Sequence, residues 1–287
     1  MRGLMSRAAA CARRLWRAER FRPDTARDIF LVTYPRSGTT WISCLAAELL
    51  FGISPKSLAE IDSIVPDVYK LPRKSLVPAA SQYLVKSHYL LSDVLPFGEY
   101  RRVIYLVRDP RDVLLSYYRY RRGVSGYSGS LKDFATDWVC GRIWPSSWQE
   151  HIHSWLGPRT RPARFELTVL RYEDFAAGPV HQIGILAGAL GVPAGLARIE
   201  EIAADTTPEA MRRRETFGKN DGSPEFEFIG PAAAGNWKKV RSREDLEAIA
   251  IVEQFTQGAL ELAGYARRGG QGSALSGDFM ASPTVLL

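Results

Sequence analysis

A chain of 287 residues with 46% hydrophobic residues is long enough to bury a sizeable core in one α/β unit. Its 38 Lys+Arg against 31 Asp+Glu give a formal charge of +7, which suits an anionic ligand, a nucleic acid or an acidic membrane surface without choosing among them. Cys11, Cys44 and Cys140 stand too far apart for a disulfide framework or a zinc site, so a reducing, cytoplasmic location is expected.

Residues 1–25 read as a basic N-terminal extension, with seven arginines and Glu19 as the one acid before Asp24. Arginines interrupt every apolar stretch there. That excludes a secretory h-region and a membrane span, and leaves a solvated basic helix or a weak membrane-surface or transit-like segment.

A single domain is expected over 26–268. The runs DIFLVTY (28–34), QYLVK (82–86), RVIYLVR (102–108) and ELTVLRY (166–172) predict buried strands. Helices are predicted over TTWISCLAAELLF (39–51), RDVLLSYYRYR (111–121), PVHQIGILAGAL (179–190) and the long run 242–265. Alternation of the two implies a central parallel sheet flanked by helices. The Gly/Ser-rich stretch 269–287 predicts a mobile tail.

In such a sheet, ligands sit beyond the carboxyl ends of the strands, where a helix N-terminus offers unpaired N–H groups to phosphate. The turn PRSGTT follows the first predicted strand directly. Gly38 lets backbone approach an anion, Ser37, Thr39 and Thr40 bring hydroxyls, and Arg36 brings a fixed charge with a planar fork. Thr33 and Thr39 stand where an ATP-binding loop has its first glycine and its lysine, so the turn is P-loop-like without being a Walker loop. A plain helix cap would also account for it.

A second anion site is legible in YLVRDPRDVLLSYYRY. Arg108 ends a strand, and Ser116 lies on the second turn of a helix begun at Asp109-Pro110, so guanidinium and hydroxyl can meet one phosphate. A surface ion pair between Arg108 and Asp109 is the alternative. Trp41 and Tyr172, read alone, are ordinary core aromatics, and His88 is one of the four histidines, able to titrate near neutral pH. His151 and His153, two apart on a predicted helix, point in different directions and make no metal pair.

These segments together resemble the cytosolic-type sulfotransferases that use 3′-phosphoadenosine 5′-phosphosulfate (PAPS). The 33–41 stretch is similar to that family's 5′-phosphosulfate loop, YLVRDPRDVLLSYY to its 3′-phosphate segment, KSHY to its Lys-Thr-His segment, RYED to its Tyr-Glu-Asp segment and GNWKK to its Gly-Asp-Trp-Lys segment. The order is the family's order, from about residue 28 to 265. The resemblance implies transfer of a sulfuryl group from PAPS to an acceptor hydroxyl or amine, with no metal. By position, Arg36, Ser37, Gly38, Thr39 and Thr40 would hold the 5′-phosphosulfate, Arg108 and Ser116 the 3′-phosphate, and Trp41, Tyr172 and Thr206 the adenine. His88 would be the general base, Lys86 would steady the sulfuryl oxygens, and Arg36 with Ser37 would meet the leaving group.

Three departures stand out. Arg36 replaces a lysine. Gly230, Pro231 and Ala232 replace an Arg-Lys-Gly that contacts the 3′-phosphate, with Arg212, Arg213, Arg214 and Lys219 as candidate substitutes. RSR at 241–243 replaces the apolar centre of a dimer motif, so oligomeric state stays open. The expected partner is a small-molecule, glycan or lipid acceptor, with no nucleic acid and no stable membrane insertion; loops 54–81 and 121–148, carrying Tyr69, Tyr127, Trp144 and Trp148, would shape its pocket, and arginines 119, 121 and 122 would favour an acidic acceptor. A catalytically degenerate scaffold on the same fold is the alternative, a nucleotide kinase a weaker one, since the Walker lysine is absent.

Overall fold

The computed structural model describes residues 27–68, 82–94, 100–158, 165–216, 229, 234–265 and 284–286. Four parallel strands, β1 (Ile29–Thr33), β2 (Leu84–Ser87), β3 (Arg102–Val107) and β4 (Glu166–Arg171), lie in the order β2-β1-β3-β4. A three-residue strand, β5 (Thr284–Leu286), adds to β4 in antiparallel sense. The sheet is therefore parallel except at this edge; β5 falls in the stretch read as a mobile tail, whose residues 269–283 lie outside those described, as do the basic extension 1–25 and Tyr69.

β1 is completely buried, and its period-2 side chains feed two cores. Phe30 and Val32, with Val103, Tyr105 and Val107 of β3, face one cluster; Ile29 and Leu31, with Ile104 and Leu106, face the other. The first is covered by α4 (Pro110–Ser125), α5 (Leu131–Val139), α6 (Trp148–Leu156), α11 (Arg243–Phe255) and α12 (Gln257–Leu262); the second by α1 (Thr39–Phe51), α7 (Tyr172–Ala177), α8 (Pro179–Leu190) and α9 (Leu196–Asp205). Two short helices, α2 (Leu58–Ile64) and α3 (Leu91–Val94), precede and follow β2, and α10 (Pro208–Thr216) follows α9.

Two elements differ from the sequence reading. Tyr172 opens α7 instead of ending β4. The run 242–265 is broken at Thr256, whose backbone leaves helical space (φ −107°, ψ 8°) while its hydroxyl donates to the Val252 carbonyl at 2.6 Å. A threonine hydroxyl bonding four residues back bends helices. The strand order reverses around β1, with β2 on one side and β3 on the other, so a crevice opens beyond its carboxyl end.

Candidate functional site

The turn after β1 builds the floor of that crevice. Ser37 N donates to the Tyr34 carbonyl at 3.2 Å, and Arg36 (φ 70°) and Gly38 (φ 104°) both take left-handed backbone. An added Cβ on Gly38 would stand 2.6 Å from the Tyr172 ring, so only glycine fits between turn and ring. α1 begins at Thr39 without a side-chain cap, leaving the first amides of the helix without helical carbonyl partners. The Thr33 and Thr39 hydroxyls lie 2.6 Å apart.

A cavity of about 880 Å³ opens over this turn. It is lined by Arg36, Gly38, Thr39, Thr40 and Trp41 from the turn and the start of α1, by Lys86 of β2 and His88 just beyond it, by Arg108 after β3 and Ser116 of α4, and by Tyr172 and Thr206. Ser37 is the exception among the expected site residues: it is fully buried beneath the turn, its hydroxyl making no hydrogen bond among the described residues.

Guanidinium groups gather at one end. The Arg36 Nε donates to Ser116 Oγ at 3.3 Å, Arg108 donates to the Arg36 carbonyl at 3.1 Å, and the Arg108 guanidinium lies 4.1 Å over the Tyr172 ring. Burial first, then the like charges of Arg119 and Arg108, pull the Arg36 guanidinium down to about 10. Like charges held together in a partly desolvated corner favour an anion between them. Beside it, Trp41 and Tyr172 pack edge to face with ring centroids 5.6 Å apart, forming an aromatic wall. Thr206 is buried there, its hydroxyl donating to the Ile202 carbonyl at 2.7 Å.

Lys86 and His88 line the same cavity, and the Thr33 hydroxyl stands between the His88 ring at 3.0 Å and the Thr39 hydroxyl of the turn at 2.6 Å. The Lys86 ammonium, nearly buried, pairs with Asp62 of α2, a counter-charge that sequence reading did not single out. His88 Nδ1 lies 2.8 Å from the Thr33 carbonyl oxygen. A carbonyl oxygen only accepts, so Nδ1 is the donor there, and in the neutral ring this tautomer leaves the lone pair on Nε2. The 88–91 turn is pinned by α6: Trp155 Nε1 donates to the Tyr89 carbonyl at 3.0 Å and Leu91 N donates to Ser154 Oγ at 2.7 Å. Buried His151 stands beneath; burial and the nearby His88 push it down to about 3, so it is neutral. His153 is exposed, and no metal-binding group of side chains occurs among the described residues.

The Trp144 ring meets His88 edge-on at 5.8 Å and Tyr89 at 5.7 Å. It is held by the Tyr117 hydroxyl donating to its carbonyl at 2.6 Å, and by Tyr34 donating to the Ser146 carbonyl at 2.7 Å. Trp148 belongs to the buried core and Tyr127 packs on Phe134 at 5.3 Å, so neither walls the cavity.

A buried ionic frame stands behind these groups. Asp109 is not paired with Arg108: it takes Arg111 bidentately, at 2.8 and 2.6 Å, while Arg111 also reaches Glu253 at 2.9 Å and stacks on Trp237 at 3.7 Å. Asp112 accepts from the Gly235 and Trp237 amides at 2.6 and 2.9 Å, which sets Asn236 at the cavity wall. Glu173 accepts from the Asp109 amide at 3.0 Å and the Tyr265 hydroxyl at 2.7 Å. Segments over a hundred residues apart are thereby locked to one strand end, the support that a precise site requires. The stretch 230–232 and Lys219 lie outside the described residues. Arg214 bonds Ser54 Oγ at 2.9 Å, Arg212 bonds Glu209 at 3.5 Å, Arg213 is exposed, and none of the three lines the cavity.

A family profile described as the sulfotransferase domain matches residues 26–260. Human sulfotransferase 4A1 is 30% identical over 250 residues, 84% of each chain. Human sulfotransferase 2B1 is 29% identical over 232 residues, 74% of this chain and 60% of its own; this chain likewise spans 65% of mouse sulfotransferase 4A1. Among solved structures, retinol dehydratase in complex with androsterone and the inactive cofactor PAP superposes with a TM-score of 0.64 at 21% identity, covering 88% of this chain and 85% of the other. Mouse sulfotransferase SULT7A1 complexed with PAP gives 0.64 at 17% identity, covering 86% and 91%. No helix among the described residues is long and apolar enough to cross a membrane. By the extent of the profile match and the kinship with human sulfotransferase 4A1, the chain belongs to the sulfotransferase-domain family.

Proposed function

We propose that this protein is a PAPS-dependent sulfotransferase acting on a hydroxyl-bearing acceptor. The observation that carries the reading is the convergence of Arg36, Arg108 and Ser116 beside the Trp41–Tyr172 wall in a cavity that Lys86 and His88 also line. The residues present fit the donor: cations, α1 amides and the Thr39 and Thr40 side chains for its phosphates, and ring edges for its base, while the buried Ser37 does not reach the cavity. When bound, PAPS supplies the sulfuryl group and a phosphate leaving group.

The chain's own residues then have separable tasks. His88 Nε2 would take the acceptor proton as the acceptor oxygen bonds to sulfur and the bond from sulfur to the bridging phosphate oxygen breaks, the phosphate leaving as part of 3′-phosphoadenosine 5′-phosphate. Lys86, held by Asp62, faces charge on the sulfuryl oxygens; Arg36 meets charge developing on the leaving phosphate. Arginine at that position serves by charge and hydrogen bonding, since it does not readily give up a proton. Trp144 and Tyr89 wall the acceptor side beside His88. This reading is supported by the PAP bound in the two similar structures, retinol dehydratase and mouse sulfotransferase SULT7A1.

Arg108→Ala is expected to weaken calorimetric binding of the 3′,5′-bisphosphate at least about tenfold, the worth of a charge-assisted contact, and to weaken adenosine 5′-phosphosulfate much less. Equal losses for both ligands would move the 3′-phosphate away from Arg108.

A further inference from the structure

The cavity-facing arc of α4 changes character from one edge to the other. At 100° per residue, its lining residues run from Leu115, Arg119 and Asp112 through Ser116, Tyr120 and Tyr117 to Arg121 and Ser125. Ser116, bonded to Arg36, marks the donor edge. Tyr117, whose hydroxyl holds Trp144 against His88, marks the acceptor edge. Arg121 stands one helical turn past Tyr117, on the side away from the phosphate residues. Burial pushes the Tyr117 hydroxyl up to about 12 against the opposing charge of Arg121.

Two other cations of the cavity have protein partners. Lys86 has Asp62, and Arg108 has the Arg36 carbonyl and the Tyr172 face. No carboxylate among the described residues pairs with Arg121, and its Nε is buried without a hydrogen-bond partner. Keeping a half-buried guanidinium unpaired in a cavity wall costs desolvation that a bound anion recovers, and its planar fork matches a carboxylate in two hydrogen bonds.

We infer that Arg121 is an acceptor-recognition residue, and that the acceptor carries an anionic group, a carboxylate in the simplest case, displaced from the reacting hydroxyl toward the far edge of α4. The inference rests on the reading of the cavity as a sulfotransferase site. It assigns the acceptor a bifunctional chemistry: a hydroxyl for His88, an apolar or aromatic body for Trp144 and Tyr117, and an acid for Arg121.

The test uses 3-(4-hydroxyphenyl)propanoate and its neutral amide as probes, titrated calorimetrically into the full chain saturated with 3′-phosphoadenosine 5′-phosphate. The wild type should bind the acid at least about tenfold more tightly than the amide. Arg121→Gln should erase that preference while leaving affinity for the bisphosphate unchanged, and Arg121→Lys should restore part of it. A wild type that binds acid and amide equally, prefers the amide or binds neither overturns the inference, as does an Arg121→Gln variant that keeps the preference. Failure of the wild type to bind the bisphosphate would instead strike at the donor reading, so the two failures are separable.

Discussion

His88→Ala is expected to lower the rate of sulfuryl transfer by about 10²- to 10⁴-fold, the range that a positioned general base supplies, with affinity for 3′-phosphoadenosine 5′-phosphate near that of the wild type. The geometry separates the two effects. His88 lies beyond β2, tied to the Thr33 carbonyl through Nδ1 and faced by the Trp144 ring, whereas the guanidiniums gather by Ser116. Turnover of labelled PAPS with a phenolic acceptor and calorimetry on the same preparation make the comparison. Transfer at the wild-type rate would remove the base assignment; loss of nucleotide binding in step with rate would make His88 a structural residue.

Gly38→Ala should damage both the turn and the donor site. The substitution forces a side chain into backbone at φ 104° and sets a Cβ 2.6 Å from the Tyr172 ring, which has little freedom to retreat because Arg108 covers it at 4.1 Å. Left-handed strain and the clash together should cost on the order of 2–3 kcal/mol of stability. Displacement of Tyr172 carries Arg108 with it, so bisphosphate affinity should fall at least about tenfold. Thermal unfolding and nucleotide titration check the two consequences, and a variant unchanged in both would show that the turn is looser than its contacts imply.

Local chemistry made the phosphate turn legible in the sequence. β1 alternates into two cores, a glycine must follow it, and α1 runs over its expected residues, 39–51. What stayed hidden depends on partners remote in the chain. Nothing local to Asp112 announces that it will fasten the Gly235 and Trp237 amides, or that Arg111 will be clamped between Asp109, Glu253 and Trp237. The counter-ion Asp62 sits in a short surface-like helix whose relation to Lys86 arises only from the packing of α2 beside β2. Trp144 and Trp148 had equal standing as pocket residues in the sequence; the fold buries one in the core and leaves the other half exposed next to His88. Thr256 breaks a run with helical periodicity throughout, because a hydroxyl competing for a backbone carbonyl is invisible to a pattern of apolar positions.

The central claim, that the guanidinium corner is a site for a nucleotide bearing both 3′- and 5′-anions, is tested most directly by calorimetric titration of the protein with 3′-phosphoadenosine 5′-phosphate alongside AMP and ATP. Tight binding of the bisphosphate is expected, with AMP weaker by at least about tenfold, the contribution of charge-assisted contacts to the additional phosphate. Equal affinity for the three nucleotides, or tighter binding of ATP, would contradict it.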